Sequence, residues 1–101
     1  MVGRQTVDAV KQQNDLVEVI REAGIPLRRR GRTYFGLCPF HAERTPSFGV
    51  SREAGLFHCF GCGAGGDVIR FIERMQRVSF REAVHRLARR AGIRVKSGRS
   101  A

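Results

Sequence analysis

Four side chains in this 101-residue sequence have the type and spacing of metal ligands. They are Cys38 and His41 in Cys38-Pro-Phe-His41, and Cys59 and Cys62 in Cys59-Phe-Gly-Cys62, with residues 42–58 between the pairs. Each short segment puts two ligand atoms on one tight turn, and three thiolates with one imidazole form the sulfur and nitrogen set that tetrahedral Zn²⁺ prefers. Because the protein supplies all four positions, the set reads as one structural zinc ion; a catalytic ion would keep a position open for water or substrate. Other cysteine chemistry fits less well. Three cysteines cannot all pair within one chain, and Met1 opens a polar segment rather than an apolar leader, so a secreted disulfide framework is not expected. A redox Cys-x-x-Cys calls for βαβ surroundings, whereas Cys59 and Cys62 lie among Gly61, Gly63, Gly65 and Gly66.

Nothing else in the sequence has the makings of a catalytic centre. Its acids are scattered singly, at Asp8, Asp15, Glu18, Glu22, Glu43, Glu53, Asp67, Glu73 and Glu82. Asp15, Glu18, Asp67 and Glu82 stand where helix caps need them. No Asp-x-Asp pair is present to hold Mg²⁺, and the glycine-rich stretch from Gly61 to Gly66 lacks the Lys-Ser/Thr that completes a P-loop. The chain is not expected to be an enzyme on its own.

The formal net charge is +10, from 19 basic and 9 acidic residues, and only Lys11 and Lys96 among the basic residues are lysines. So lopsided a charge on a small body favours polyanions, and arginine's planar fork suits phosphate. No stretch approaches the roughly 18 apolar residues of a membrane span, so a cytoplasmic protein with no membrane partner is expected.

The elements that must position the ligands can be read in turn. Thr6 to Gln12 has a weak helical pattern. Asp15 to Ala23 is a short helix, with Leu16, Val19, Ile20 and Ala23 as its stripe, an Asp15/Glu18 capping box, and Gly24 and Pro26 as its stop. Four β-like runs follow, Pro26 to Arg30, Thr33 to Leu37, Ser47 to Ser51 and Leu56 to Phe60, with Arg30-Gly31-Arg32 as the first hairpin turn. The knuckles fall at the ends of the second and fourth runs, so zinc staples two hairpins across a small antiparallel sheet. Asp67 then caps a helix with Val68, Phe71, Ile72 and Met75 on one face. Ser79 and Glu82 open another, with Phe80, Val84, Leu87 and Ala91 in a narrow arc before Gly92. The expectation is a small α+β domain, a zinc ribbon with a short antiparallel sheet flanked by helices. Its ribbon core covers about 25–66, its flanking helices about 6–24 and 67–91, and residues 96–101 are a linker or frayed tail.

The β region interleaves Arg28, Arg29, Arg30, Arg32, Arg44 and Arg52 with Tyr34, Phe35, Phe48 and Phe57. Positive charge mixed with aromatic faces is how sequence-tolerant proteins hold single strands, although any one phenylalanine is more often core. The candidate nucleic-acid contacts are Arg30, Arg32, Tyr34, Arg44, Phe48, Arg52, Phe57 and His58, with Tyr34 and one other aromatic expected to be exposed. His58 adjoins Cys59 on a strand and so faces away from the metal if Cys59 faces it. His85, among Arg81, Arg86 and Arg89, reads as solvated.

Cys38-Pro-Phe-His41, Glu43-Arg44-Thr45-Pro46-Ser47-Phe48 and Phe57-His58-Cys59-Phe60-Gly61-Cys62-Gly63, with Gly66-Asp67 opening a helix, closely resemble the N-terminal zinc-binding domain of bacterial DNA primase, from about Val7 to Val95. The resemblance implies a zinc ribbon with Cys38, His41, Cys59 and Cys62 as ligands. It implies a domain that binds single-stranded template and helps choose where primers start, at the replication fork. Its partner would be a polymerase domain, in cis or in trans. The family's polymerase domain and helicase-binding tail have no counterpart here, so a piece cut at the linker 96–101 is expected rather than a stand-alone module. The alternatives are a zinc-ribbon adapter that docks on a polymerase domain through its helices and a stand-alone DNA-binding protein.

Overall fold

The computed structural model describes residues 3–42 and 45–95. Two helices open the chain, α1 (Arg4–Gln13) and α2 (Leu16–Glu22). Asn14 forms the joint between them and is fully enclosed. Its carboxamide donates to the carbonyls of Val10 (2.8 Å) and Leu87 (3.1 Å) and accepts from Arg90 (3.0 Å). A buried amide is tolerable when its polar atoms are paired in this way. Here it ties the first helices to the last.

The expected capping box of α2 does not form. Asp15 is the N-cap residue but makes no side-chain cap bond. Its carboxylate instead takes the guanidinium of Arg52 (3.0 Å to Nε), which also reaches Glu18 (3.2 Å) and the Tyr34 hydroxyl (2.9 Å). One arginine thus engages both acids through charge-assisted hydrogen bonds in place of the cap.

The sheet is an antiparallel meander in sequence order, β1 (Arg28–Arg30), β2 (Thr33–Gly36), β3 (Phe48–Ser51), β4 (Leu56–Cys59) and β5 (Gly65–Gly66). Gly31 turns the first hairpin with a φ of 66°, a conformation that favours glycine. The fifth strand is not anticipated by its two glycines; it pairs with the otherwise bare edge of β4. Side chains alternate across the strands, so one face carries Tyr34, Phe48, Val50, Phe57 and Cys59, all buried. The helices α3 (Val68–Gln76) and α4 (Phe80–Ala91) lie against each other, with α1 against α4, α2 against α3 and β3, and α3 against β5. Phe48, Phe57 and Phe71 meet Phe40 in an aromatic cluster with centroid separations of 5.4–6.2 Å.

Asp67 and Ser79 cap α3 and α4, accepting from the N–H groups of Arg70 (3.0 Å) and Glu82 (3.1 Å). Phe80 departs from the expected core arc and is exposed, because the first residue of α4 precedes the turn, Ala83 to Ala88, that packs inward. His85, expected to be solvated, is half-buried. The tail 96–101 lies outside the described residues.

Candidate zinc centre and the open face of the sheet

Cys38 follows β2 and Cys59 ends β4, so strand pairing brings the two knuckles to the same end of the sheet. The ligand atoms of Cys38, His41, Cys59 and Cys62 lie within 4.8 Å of one another. A tetrahedral ion with Zn–S bonds of about 2.3 Å has S···S edges of about 3.8 Å, and S···N edges of about 3.6 Å. Cys38 and Cys62 are 3.8 Å apart, and Cys59 Sγ lies 4.0 Å from His41 Nδ1. The set is therefore close to the dimensions of one tetrahedral ion before any metal acts on it.

Backbone amides complete the site. The N–H of Phe40 donates to Cys38 Sγ and that of Gly61 to Cys59 Sγ, both at 3.4 Å, and the Ser47 hydroxyl sits 3.7 Å from Cys59 Sγ. Donors aimed at sulfur favour thiolate. Burial pushes the Cys59 thiol up, but the amides of Cys62 and Gly61, with Ser47 and Cys38, outweigh it and hold the group down at about 7. At Cys38 burial prevails over the Phe40 amide, and with its neighbouring thiols Cys59 and Cys62 raises the group to about 12. A dication among four such donors reverses that balance, since it stabilises thiolates that burial alone disfavours.

On the other side of the sheet, cross-strand pairing sets two rows. One runs Arg28, Phe35, Gly49, His58, Gly65 across all five strands, and the second runs Arg30, Thr33, Ser51, Leu56. Phe60 stands on the same face, two residues past His58. Its N–H donates to the Ser47 carbonyl (3.0 Å), carrying the β3–β4 ladder one residue past Cys59, and its ring reaches Gly49. A Cβ on Gly49 would meet the rings of Phe35 and Phe60 at 3.4 Å each, so the missing side chain lets both rings settle on the backbone. His58 meets Phe60 edge-on at 4.7 Å. The result is a shelf of Phe35, His58 and Phe60, with Phe60 72% exposed and Arg28 and Arg30 at its β1 margin.

The expected contacts divide accordingly. Arg30 and His58 stand on this open face, and Arg32 is exposed on the β1–β2 turn. Phe48 (0% exposed) and Phe57 (2%) are core residues on the opposite side, which corrects their placement as strand contacts. Tyr34, expected to be exposed, is 8% exposed, and its hydroxyl is occupied by Arg52. Arg52 is in turn held by Asp15 and Glu18. Arg44 lies outside the described residues. Phe60 was absent from the expected set, although alternation from Cys59 points to it as it does to His58.

Comparison with known proteins decides what kind of site this is. The family model described as "CHC2 zinc finger" matches residues 2–101. The chain belongs to the CHC2 zinc-finger family. This zinc finger is 50% identical over 92 residues to a DNA primase of Geobacillus stearothermophilus, covering 91% of the chain and 15% of that protein. To the DNA primase of Thermotoga maritima it is 50% identical over 93 residues, covering 92% of the chain and 16% of that protein. The crystal structure of the Aquifex aeolicus primase, comprising zinc-binding and RNA polymerase domains, matches with a TM-score of 0.82 and 41% identity, over 91% of the chain and 22% of that structure. The CHC2 zinc finger thus spans less than a quarter of the proteins it matches, and its match is to a primase zinc-binding domain. One zinc ion is its cofactor. Among the described residues no helix is long and apolar enough to cross a membrane.

The thiol balance yields a first expected result. Zinc uptake at neutral pH should release one proton from Cys38, protonated below about 12, and a fraction of one from Cys59, at about 7. Apparent zinc affinity should therefore climb as pH rises through neutrality and fall in acid. Competition with a chromogenic chelator across that range measures it, and an affinity independent of pH would contradict the thiol assignment.

Proposed function

We propose that this CHC2 zinc finger is the non-catalytic template-binding module of a DNA primase. It binds single-stranded DNA across the open face of its sheet and helps select primer start sites, beside a polymerase domain supplied in cis or in trans at the cytoplasmic replication fork. The observation that carries this reading is the shelf of Phe35, His58 and Phe60 with Arg28 and Arg30 at its margin. Exposed rings stack on bases irrespective of sequence, and arginines hold the backbone. A non-catalytic role agrees with the engagement of the acids. Asp15, Glu22, Asp67 and Glu82 pair with Arg52, Arg90, Lys11 and Arg86.

Titrating the zinc-loaded chain with short oligothymidylates at several salt concentrations tests the proposal. Weak binding is expected, with an affinity that falls steeply with salt, by about 0.7 in logarithmic slope for each phosphate neutralised. No binding at low salt would sink it. A second reading, an adapter that docks on a polymerase domain, is favoured by a groove on the helical side in which the apolar Met75 and Leu87 stand with the charged Glu22, Arg86 and Arg90. Binding of the chain to a separately prepared polymerase domain, with none to DNA, would favour that reading.

A further inference from the structure

We infer that the outward face of α3 is a second nucleic-acid contact, an arginine ridge that holds the phosphates of the single strand after it leaves the sheet. The inference rests on the proposed binding of a single strand to the open face. Its starting point is the backbone at Arg77. The C-cap of α3 has φ 53° and ψ 52°, and among the described residues Arg77 is the one non-glycine with positive φ. The other left-handed positions are all glycines, including Gly92, which closes α4 in the same cap role. A side chain at such a position crowds the backbone, and glycine is what relaxes it. No ion pair repays Arg77 among the described residues, so the guanidinium is retained at a strained position with no internal partner. Strain kept without internal compensation points outward, to a ligand.

Arg77 does not stand alone. Arg70 and Arg74 precede it by seven and three residues, on the side of α3 away from the buried Val68, Ile69, Phe71 and Ile72, and Arg77 follows them at the C-cap; all three are exposed. The guanidinium of Arg74 lies 4.4 Å over the ring of Phe40, between the ligands Cys38 and His41. The stem of Arg70 lies against Gly66, where a Cβ would fall 2.6 Å from its Cγ. The ridge is thus bracketed by the first zinc knuckle and the edge strand β5. That edge has no side chains to obstruct passage, being Gly65 and Gly66 alone, and Gly65 is the end of the Phe35–Gly49–His58 row. Four strand spacings make the shelf about 19 Å wide, and Arg70 to Arg77 adds about 10 Å along the helix. Three exposed arginines, with one ring, Phe40, under Arg74 and one acid, Glu73, 3.8 Å from Arg70, suit phosphates better than they suit a protein partner, which would need an apolar centre.

The test uses the zinc-loaded chain with oligothymidylates of two lengths, about four nucleotides, enough for the sheet, and about twelve, enough to reach the ridge. Affinity is read by fluorescence anisotropy against salt. For Arg77→Gly the midpoint of thermal unfolding should hold or rise, by up to about 5 °C. Its affinity for the short strand should be unchanged, whereas the long strand should bind about threefold or more weakly, with a salt slope shallower by about 0.7. Arg70→Gln should show the same length-dependent loss with no rise in the midpoint. An unchanged long-strand affinity and slope in both variants would overturn the ridge while leaving the shelf intact. Equal losses for both lengths would also overturn it, since the arginines would then act through the sheet site. Weakened binding to a primase polymerase domain, with DNA binding unaffected, would make the ridge a protein dock. A wild-type chain that binds neither strand removes the shelf reading and the ridge together.

Discussion

Chelating the zinc, or replacing Cys59 by serine, is expected to abolish the cooperative folding of the sheet. Structural zinc in small domains is worth on the order of 10–16 kcal/mol at neutral pH, which matches or exceeds the whole stability, about 5–15 kcal/mol, of an ordinary domain. Here the ion joins Cys38 after β2 to Cys59 at the end of β4, and both sulfurs are buried. Without the ion, three sulfurs and an imidazole packed within 4.8 Å of one another would have no dication to organise them. The paired helices α3 and α4 keep their caps and part of their apolar contact, so helical circular dichroism should fall less than the amide dispersion of the strands. A metal-free chain that melts cooperatively at an unchanged midpoint would contradict the structural role.

The second large effect is a separation between two phenylalanines only three residues apart. Phe57→Ala opens a cavity among Phe40, Phe48 and Phe71 and should cost about 3–5 kcal/mol of stability. Phe60→Ala removes a ring that is already 72% exposed and should change stability by well under about 1 kcal/mol. Its effect should fall on single-strand binding instead. Loss of one stacked base is worth about 1–3 kcal/mol, or roughly five- to 150-fold in affinity. Paired measurements of thermal midpoint and oligothymidylate affinity on the two variants check this. If Phe60→Ala binds as wild type does, the shelf is not where the strand lies.

What could be read from the residues was what is fixed locally. Ligand spacing placed Cys38, His41, Cys59 and Cys62 together, and the cap residues Asp67 and Ser79 marked helices that form where expected. What depended on distant partners was misread. Asp15 looked like half of a capping box, but its partner is Arg52, 37 residues away. Tyr34, Phe48 and Phe57 were all candidate contacts beside arginines, with Tyr34 expected to be exposed, and their burial follows from register across three strands, which the knuckles interrupt in sequence. The signal for Phe60 was present: the alternation that turned His58 away from the metal turns Phe60 the same way. Strand β5 could not be seen in two glycines, since its pairing answers the need of β4 and not a propensity of its own.

The most direct test of a zinc-stapled sheet that presents its open face to a single strand is amide chemical-shift mapping of the zinc-loaded chain with a short oligothymidylate. The shifts should concentrate at Arg28, Arg30, Phe35, Gly49, His58, Phe60 and Gly65. Shifts confined to α2 and α4, with that row silent, would contradict it.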